Sequence, residues 1–148
     1  MHAHVSALVL FAAFSGGTRE ATVYDSYREA WRAGRAQNLP VLVVLNPGTD
    51  SETAAVDLNL LRQSGHRRNL LANYVLAVID TSTPEGEAVH KLFQSPTLPR
   101  VSVLDKQQKW QLYRSSDALS AEDWNLLLEK YRTGVRPVAR PAPAVCQT

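Results

Sequence analysis

Cysteine is almost absent from this sequence: its 148 residues include one, Cys146, which is two positions from the end. A single cysteine excludes an internal disulfide, a CxxC redox pair and a zinc site built from several cysteines. It does not fix the compartment of the protein, because secreted proteins without disulfides also exist.

A large excess of charge of one sign is also missing, since 16 Lys and Arg face 14 Asp and Glu for a net charge of +2. The sequence shows no stripe in which aromatic and basic residues are interleaved, so we expect no nucleic-acid partner. It also lacks a Gly-rich phosphate loop, a Ser-His-Asp order and an HExxH motif. We therefore predict no metal and no cofactor.

Long apolar runs are missing too. The run from Val5 to Phe14 is about ten residues long, too short to span a bilayer as a helix. Two interpretations of residues 1–20 remain open. They are a signal peptide, which would export the protein to the periplasm or the outside, or an N-terminal extension packed on the core of a cytoplasmic protein. The region before the run lacks Lys and Arg, and no clean A-x-A cleavage site follows it.

The most informative stretch that is present is Leu39–Thr53, LPVLVVLNPGTDSET. Its five apolar residues Val41–Leu45 cannot alternate between core and solvent, so they predict a strand buried on both faces. After a break, Thr49 and Glu52 stand at capping-box spacing. We therefore predict a second helix that starts at this polar segment and runs to about Ser64.

The rest of the chain continues the alternation of helices and strands. The predicted elements are a helix over Tyr24–Asn38 with Trp31 in the core, a strand over Tyr74–Asp80, a helix capped by Thr83, a strand over Arg100–Asp105, its hairpin partner Trp110–Arg114, and a last helix from Ser120 to about Arg132. Gly65 is predicted as a helix stop, followed by a solvated basic segment His66–Arg68, and His90 as a surface histidine. Residues 134–148 are rich in Pro and Ala and predict a disordered tail. The order of elements favours an α/β fold with a parallel core and an antiparallel edge.

Three segments resemble thioredoxin-fold domains: PVLVVLNPGTDSET, VLAVID and LPRVSVLD. The resemblance covers roughly residues 24–132, and we assign the domain to residues 21–133. It implies a three-layer α/β/α sandwich with a mixed central sheet. It also implies a cis peptide bond between Leu98 and Pro99.

The redox residues of thioredoxins do not carry over to this sequence. Their CxxC would fall at Asp50–Thr53, where both sulfur positions carry oxygen side chains. Their buried aspartate would align with Val44, and the lysine that faces it would align near Leu76. Because thiol–disulfide exchange needs a thiolate and a resolving thiol, Cys146 alone cannot replace the pair. We predict that the protein has no thiol–disulfide activity.

What the resemblance leaves is a groove between the Thr49, Asp50 and Ser51 segment and the loop of Leu98 and Pro99. In thioredoxin-like proteins such a groove receives an extended peptide, so a protein or peptide is the predicted partner, and its identity stays open. One alternative is an enzyme of unrecognised type that uses the polar helix start Asp50–Thr53. Another is a structural domain whose partner docks elsewhere, for instance on the C-terminal tail.

Overall fold

The computed structural model describes residues 21–137, and its elements alternate as the sequence predicts. The strands are β1 Val23–Tyr24, β2 Val41–Asn46, β3 Val75–Asp80, β4 Arg100–Leu104 and β5 Gln111–Ser115. The helices are α1 Tyr27–Gln37, α2 Leu58–Arg62, α3 Gly65–Leu71, α4 Pro84–Leu92 and α5 Ala121–Lys130. The predictions for residues 1–20 and 138–148 fall outside the described residues.

The five strands form one mixed sheet in the order β1-β3-β2-β4-β5. β2 and β3 are parallel, with Val44 opposite Val78, whereas β4 runs antiparallel to β2 and places Val101 opposite Val44. β5 forms the antiparallel edge. This confirms the predicted mixed sheet. The two-residue strand β1 was not predicted, because it is too short to display a period of two.

The sheet has a hydrophobic cluster on each face, and β2 contributes to both. Its residues Leu42 and Val44 pack with β3 residue Leu76 and with α2, α3 and α5 on one face. Val41, Val43 and Leu45 pack with Ala30 of α1 and with α4 on the other. All five apolar residues of β2 are fully buried, which confirms the predicted three-layer α/β/α arrangement.

Helix α1 begins at Tyr27, three residues after the predicted start at Tyr24, which belongs to β1. The Ser26 hydroxyl accepts a hydrogen bond from the Glu29 N–H, and Ala30 and Gly34 are buried. A Cβ on Gly34 would lie 2.6 Å from Val41 Cγ2, so the helix approaches the sheet at this point more closely than a side chain allows. Trp31 is half-buried and belongs to neither hydrophobic cluster, so its predicted place in the core is wrong.

The predicted start of the second helix is also wrong. Residues 49–57 form no helix, and the first helical residue is Leu58, whose cap is Asp57. The Ser51 hydroxyl accepts instead from the N–H of Thr53 at 3.2 Å, which is a local turn. Such side-chain-to-backbone bonds are the usual competitor of a helix at Ser, Thr and Asp residues.

The basic segment after Ser64 belongs to a helix rather than to a solvated end. Gly65 begins α3 instead of ending a helix, and Ser64 is its cap. Arg67 is buried and donates from Nε to the Leu60 carbonyl at 2.8 Å. The sequence did not predict this helix, because its apolar residues Leu70 and Leu71 come after the basic ones.

The starts of α4 and α5 are confirmed. The Thr83 hydroxyl caps α4, whose first residue is Pro84, and Ser120 forms a capping box with Asp123 at the start of α5. The first residues of the predicted tail contact the domain, since the Gly134 carbonyl accepts from the Lys106 N–H at 2.9 Å. Between residues 21 and 137, no helix has the length and apolar character needed to cross a membrane.

Candidate functional site

The predicted site lies at the end of the sheet where β2 and β3 finish and β4 begins. β2 and β3 are parallel, so their C-terminal ends lie side by side, and the antiparallel strand β4 starts at the same end. Leu45 pairs with Arg100 at the end of the ladder. The loop that follows β2 and the loop that precedes β4 therefore leave the sheet side by side.

The loop after β2 is an excursion, over residues 47–55, that Asn46 closes at its base. The Asn46 side-chain oxygen accepts from the Val56 N–H at 3.0 Å, although ten residues separate the two. The Asn46 carbonyl accepts from both the N–H and the hydroxyl of Thr81, at 3.0 and 2.8 Å. The side chain of one residue thus fixes where the excursion ends, and its backbone anchors the loop to the turn after β3.

That turn is itself well ordered by hydrogen bonds. The Asp80 carboxylate accepts from the Ser82 hydroxyl at 2.6 Å and from the Ser82 N–H at 2.9 Å, and these bonds lower the pKa of Asp80. Gly48 packs directly on it, since a Cβ there would lie 2.7 Å from the Ser82 Cβ. Gly48, near the start of the excursion, therefore packs on a hydrogen-bonded turn.

The tip of the excursion is polar and exposed. Thr49, Asp50 and Ser51 are all exposed, as are Glu52 and Thr53. The carboxylates of Asp50 and Glu52 form no ion pair or hydrogen bond with a described residue. No group of three His, Cys, Asp or Glu side chains suited to a metal occurs within residues 21–137.

The loop before β4 carries the other half of the predicted site. The Leu98–Pro99 peptide bond is cis, the isomer that the resemblance implies, and both residues are half-buried. The loop leaves α4 through two consecutive residues in the left-handed region, Gln94 at φ 68° and Ser95 at φ 48°. Such conformations are unfavourable for residues other than Gly, so the surrounding contacts must hold them.

Two contacts that the sequence does not reveal hold this loop. His90 is half-buried, and its Nε2 donates to the Pro96 carbonyl at 2.7 Å, so it is not the surface histidine that was predicted. The Ser116 hydroxyl donates to the Thr97 carbonyl at 2.7 Å and accepts from Arg100 Nη1 at 3.1 Å. Both contacts join residues that are apart in sequence, and neither leaves a periodic signal.

Leu98 itself lacks the hydrogen bonds that hold the loop around it. Neither its N–H nor its carbonyl forms a hydrogen bond with any residue that the structure describes. The residues on both sides are fixed, by His90 at Pro96 and by strand pairing at Arg100. A half-buried residue therefore presents an unpaired backbone donor and acceptor from a constrained loop.

Two core positions beneath the two loops are apolar. Val44 is fully buried and the exposed fraction of Leu76 is 1%. Both belong to the cluster beneath α2, α3 and α5. Both side chains are aliphatic, so neither position supplies a proton acceptor or donor to the site.

A cleft of about 790 Å³ also lies toward this end of the sheet, between the first turn of α1 and the length of α4. Tyr27, Ile79 and Val89 contribute apolar walls, and Asp80 and Glu85 contribute charge. Burial raises the pKa of Tyr27. The sequence did not predict this cleft, because it forms only when the two helices pack on the same face of the sheet.

Solved structures with a similar fold are thioredoxins and a related oxidoreductase. No family description matches the chain, and no curated protein does. Among solved structures, a thioredoxin from Thermus thermophilus superposes with a TM-score of 0.58 at 17% identity, covering 76% of this chain and 87% of that one. A structure described as DsbH oxidoreductase gives 0.51 at 14% identity, covering 92% and 96%. Thioredoxin O2 from Arabidopsis thaliana in the oxidized state gives 0.50 at 9% identity, covering 75% and 93%. The chain therefore has the thioredoxin fold, and with one cysteine it has no CxxC pair.

Proposed function

We propose that this protein is a redox-inactive thioredoxin-like domain that binds an extended segment of a partner protein. The binding site is the groove between the exposed tip Thr49–Ser51 and the loop of Leu98 and Pro99. The partner's backbone pairs with the backbone of Leu98.

The unpaired backbone of Leu98 is the observation that carries this proposal. Extended peptides bind to such positions through main-chain hydrogen bonds, while neighbouring pockets select their side chains. Affinity is gained when the receptor is already ordered, because less conformational entropy is lost on binding. The contacts of His90 and Ser116 supply that order on one side, and those of Asn46 supply it on the other.

The chemistry of the groove supports binding rather than catalysis. Oxygen side chains occupy both sulfur positions, and the buried residues Val44 and Leu76 provide no proton relay. The alternative, an enzyme that uses Asp50–Thr53, lacks support from geometry. These side chains are exposed, and no histidine or second carboxylate bonds to them among the described residues.

A peptide-selection experiment tests the proposal. A library of random linear peptides is selected on the full-length protein, and the affinity of the selected peptides is measured by fluorescence polarisation. Leu98→Asp places a charge beside the pairing backbone and is expected to weaken binding at least tenfold. The matched control is Leu126→Asp, the same substitution at a leucine of α5 with an exposed fraction of 69%.

Two results would overturn the proposal. The first is a selection that yields no binding peptide, and the second is an equal loss of binding in the two aspartate variants. An insulin-reduction assay runs in parallel, and we expect no activity from the unmodified chain. Turnover in that assay that persists when Cys146 is replaced by Ser would refute the redox-inactive assignment.

A further inference from the structure

Helix α1 carries a basic and aromatic stripe on its solvent side. Arg28, Trp31, Arg32 and Arg35 follow one another at intervals of three, one and three residues, which at 100° per residue places them within one arc of the helix. The three arginines are exposed and Trp31 is half-buried. The buried residues Ala30 and Gly34 lie on a different arc, toward the sheet. The expectation that basic and aromatic residues form no stripe is therefore corrected, because only the helical spacing brings these four together.

The charge of this stripe is not compensated locally. None of the three arginines forms an ion pair with a described residue. The helix contains three arginines and one glutamate, Glu29, so its net charge equals the +2 of the whole sequence. The remainder of the chain is neutral on balance. Three exposed arginines without an ion-pair partner among the described residues therefore share one face of an 11-residue helix.

Trp31 gives the stripe an amphipathic centre. The Arg35 guanidinium lies 5.0 Å from the centroid of its ring, and the indole N–H bonds to no described residue. Half-buried tryptophans with a free N–H suit the boundary between water and lipid, where arginine stems also pack on apolar groups while their heads reach anionic headgroups.

We propose that this face of α1 binds the surface of an anionic lipid bilayer. The stripe lies along the outer face of a helix, where its arginines can meet negative charges that are spread over one surface. The guanidinium of Arg35 already covers the indole ring, which disfavours stacking of a nucleobase. The proposal is independent of the Leu98 groove.

Vesicle co-sedimentation with the full-length protein tests it. We expect binding to phosphatidylcholine vesicles that contain phosphatidylglycerol, and less binding at high salt. Each arginine near an anionic surface contributes about fivefold to partitioning. Replacing Arg28, Arg32 and Arg35 together by Gln should therefore weaken binding about a hundredfold.

The matched control removes the same charge elsewhere. Arg62, Lys109 and Arg114 are exposed and lie outside α1, so their joint replacement by Gln should leave strong binding. Trp31→Ala keeps every charge, and at each salt concentration it should bind the vesicles less tightly than the unmodified protein does. Circular dichroism confirms that each variant remains folded.

Three outcomes would refute the proposal. The first is no binding to vesicles with phosphatidylglycerol, including the case in which the protein binds single-stranded DNA or an acidic peptide instead. The second is equal loss in the two triple variants. The third is equal binding to neutral phosphatidylcholine that the arginine replacements do not change, which would assign binding to the apolar run Val5–Phe14.

Discussion

Val44→Asp probes the apolar core beneath the proposed groove. This substitution restores the acidic residue that thioredoxins bury here, but it supplies no lysine to face it, since Leu76 is unchanged. Val44 is fully buried between Val78 and Val101 of the two neighbouring strands. The introduced carboxyl would therefore have only apolar neighbours.

The cost of this substitution has two parts. Loss of the buried Val side chain costs about 1.5–3 kcal/mol. A carboxyl that must be neutral in the folded state, with an unfolded pKa of about 3.9, costs about 4 kcal/mol more at pH 7. The total, about 6 kcal/mol, is comparable with the whole stability of an ordinary domain.

The pH dependence separates these parts. Burial raises the folded-state pKa of the introduced carboxyl, so folding favours its protonated form, and the ionisation cost disappears below the unfolded pKa and grows as pH rises. Val44→Asn is the matched control, because it is equally polar and similar in size but carries no charge. Urea unfolding followed by circular dichroism should show Val44→Asp less stable than Val44→Asn by up to about 4 kcal/mol at pH 7. The two should be nearly equal near pH 4. A stability difference between the two variants that does not change with pH would mean that water reaches position 44. The core beneath the groove would then not be apolar at that position.

Two further predictions test the local structure on which the assignments depend. Ser120→Ala removes the cap of α5 and should lower the free energy of unfolding by about 1 kcal/mol at pH 7, measured by urea unfolding. Since hydrogen bonds from the Ser120 N–H and hydroxyl lower the pKa of Asp123, this difference should shrink as pH falls below the unfolded pKa of about 3.9, and a constant difference would contradict the capping box. Asp50→Cys with Thr53→Cys, in a Cys146→Ser background, should give a first thiol with a pKa near the free value of about 8.5 by absorbance titration of the thiolate. A pKa near 7 would mean that a helix start does lie at this segment.

The strands and the overall fold were predictable because their signals are local and strong. β2 and β3 are nearly continuous apolar runs, which only a sheet covered on both faces can bury, and Thr83-Pro84 and Ser120 to Asp123 are helix starts with a hydrogen-bonding reason. The cis bond at Pro99 came from the resemblance and not from the residues themselves. Trp31 was misplaced because its position depends on how closely Gly34 lets α1 approach β2, which periodicity does not encode.

The error at the start of the second helix has a different cause. Thr49 and Asp57 are both suitable caps, so the sequence permits a helix start at either. Asn46 decides between them, because its side chain accepts from the N–H of Val56 and so fixes the end of the loop two residues before the helix that begins at Leu58. A hydrogen bond between residues ten positions apart thus decides against a helix start at Thr49, although the residues there match a capping-box sequence.

That choice bears on function as much as on fold. A thiolate at the start of a helix is stabilised by unpaired N–H groups and by the helix dipole, and this lowered pKa is part of what makes a CxxC pair reactive. In this chain the segment at the CxxC position is a loop, so the electrostatic support is missing together with the two sulfurs and the buried charged pair. Restoring cysteines alone would therefore not restore thiol–disulfide exchange. None of these absences affects the unpaired backbone of Leu98 or the contacts of His90, Ser116 and Asn46 that order the two loops, and the peptide binding that we propose depends on these features.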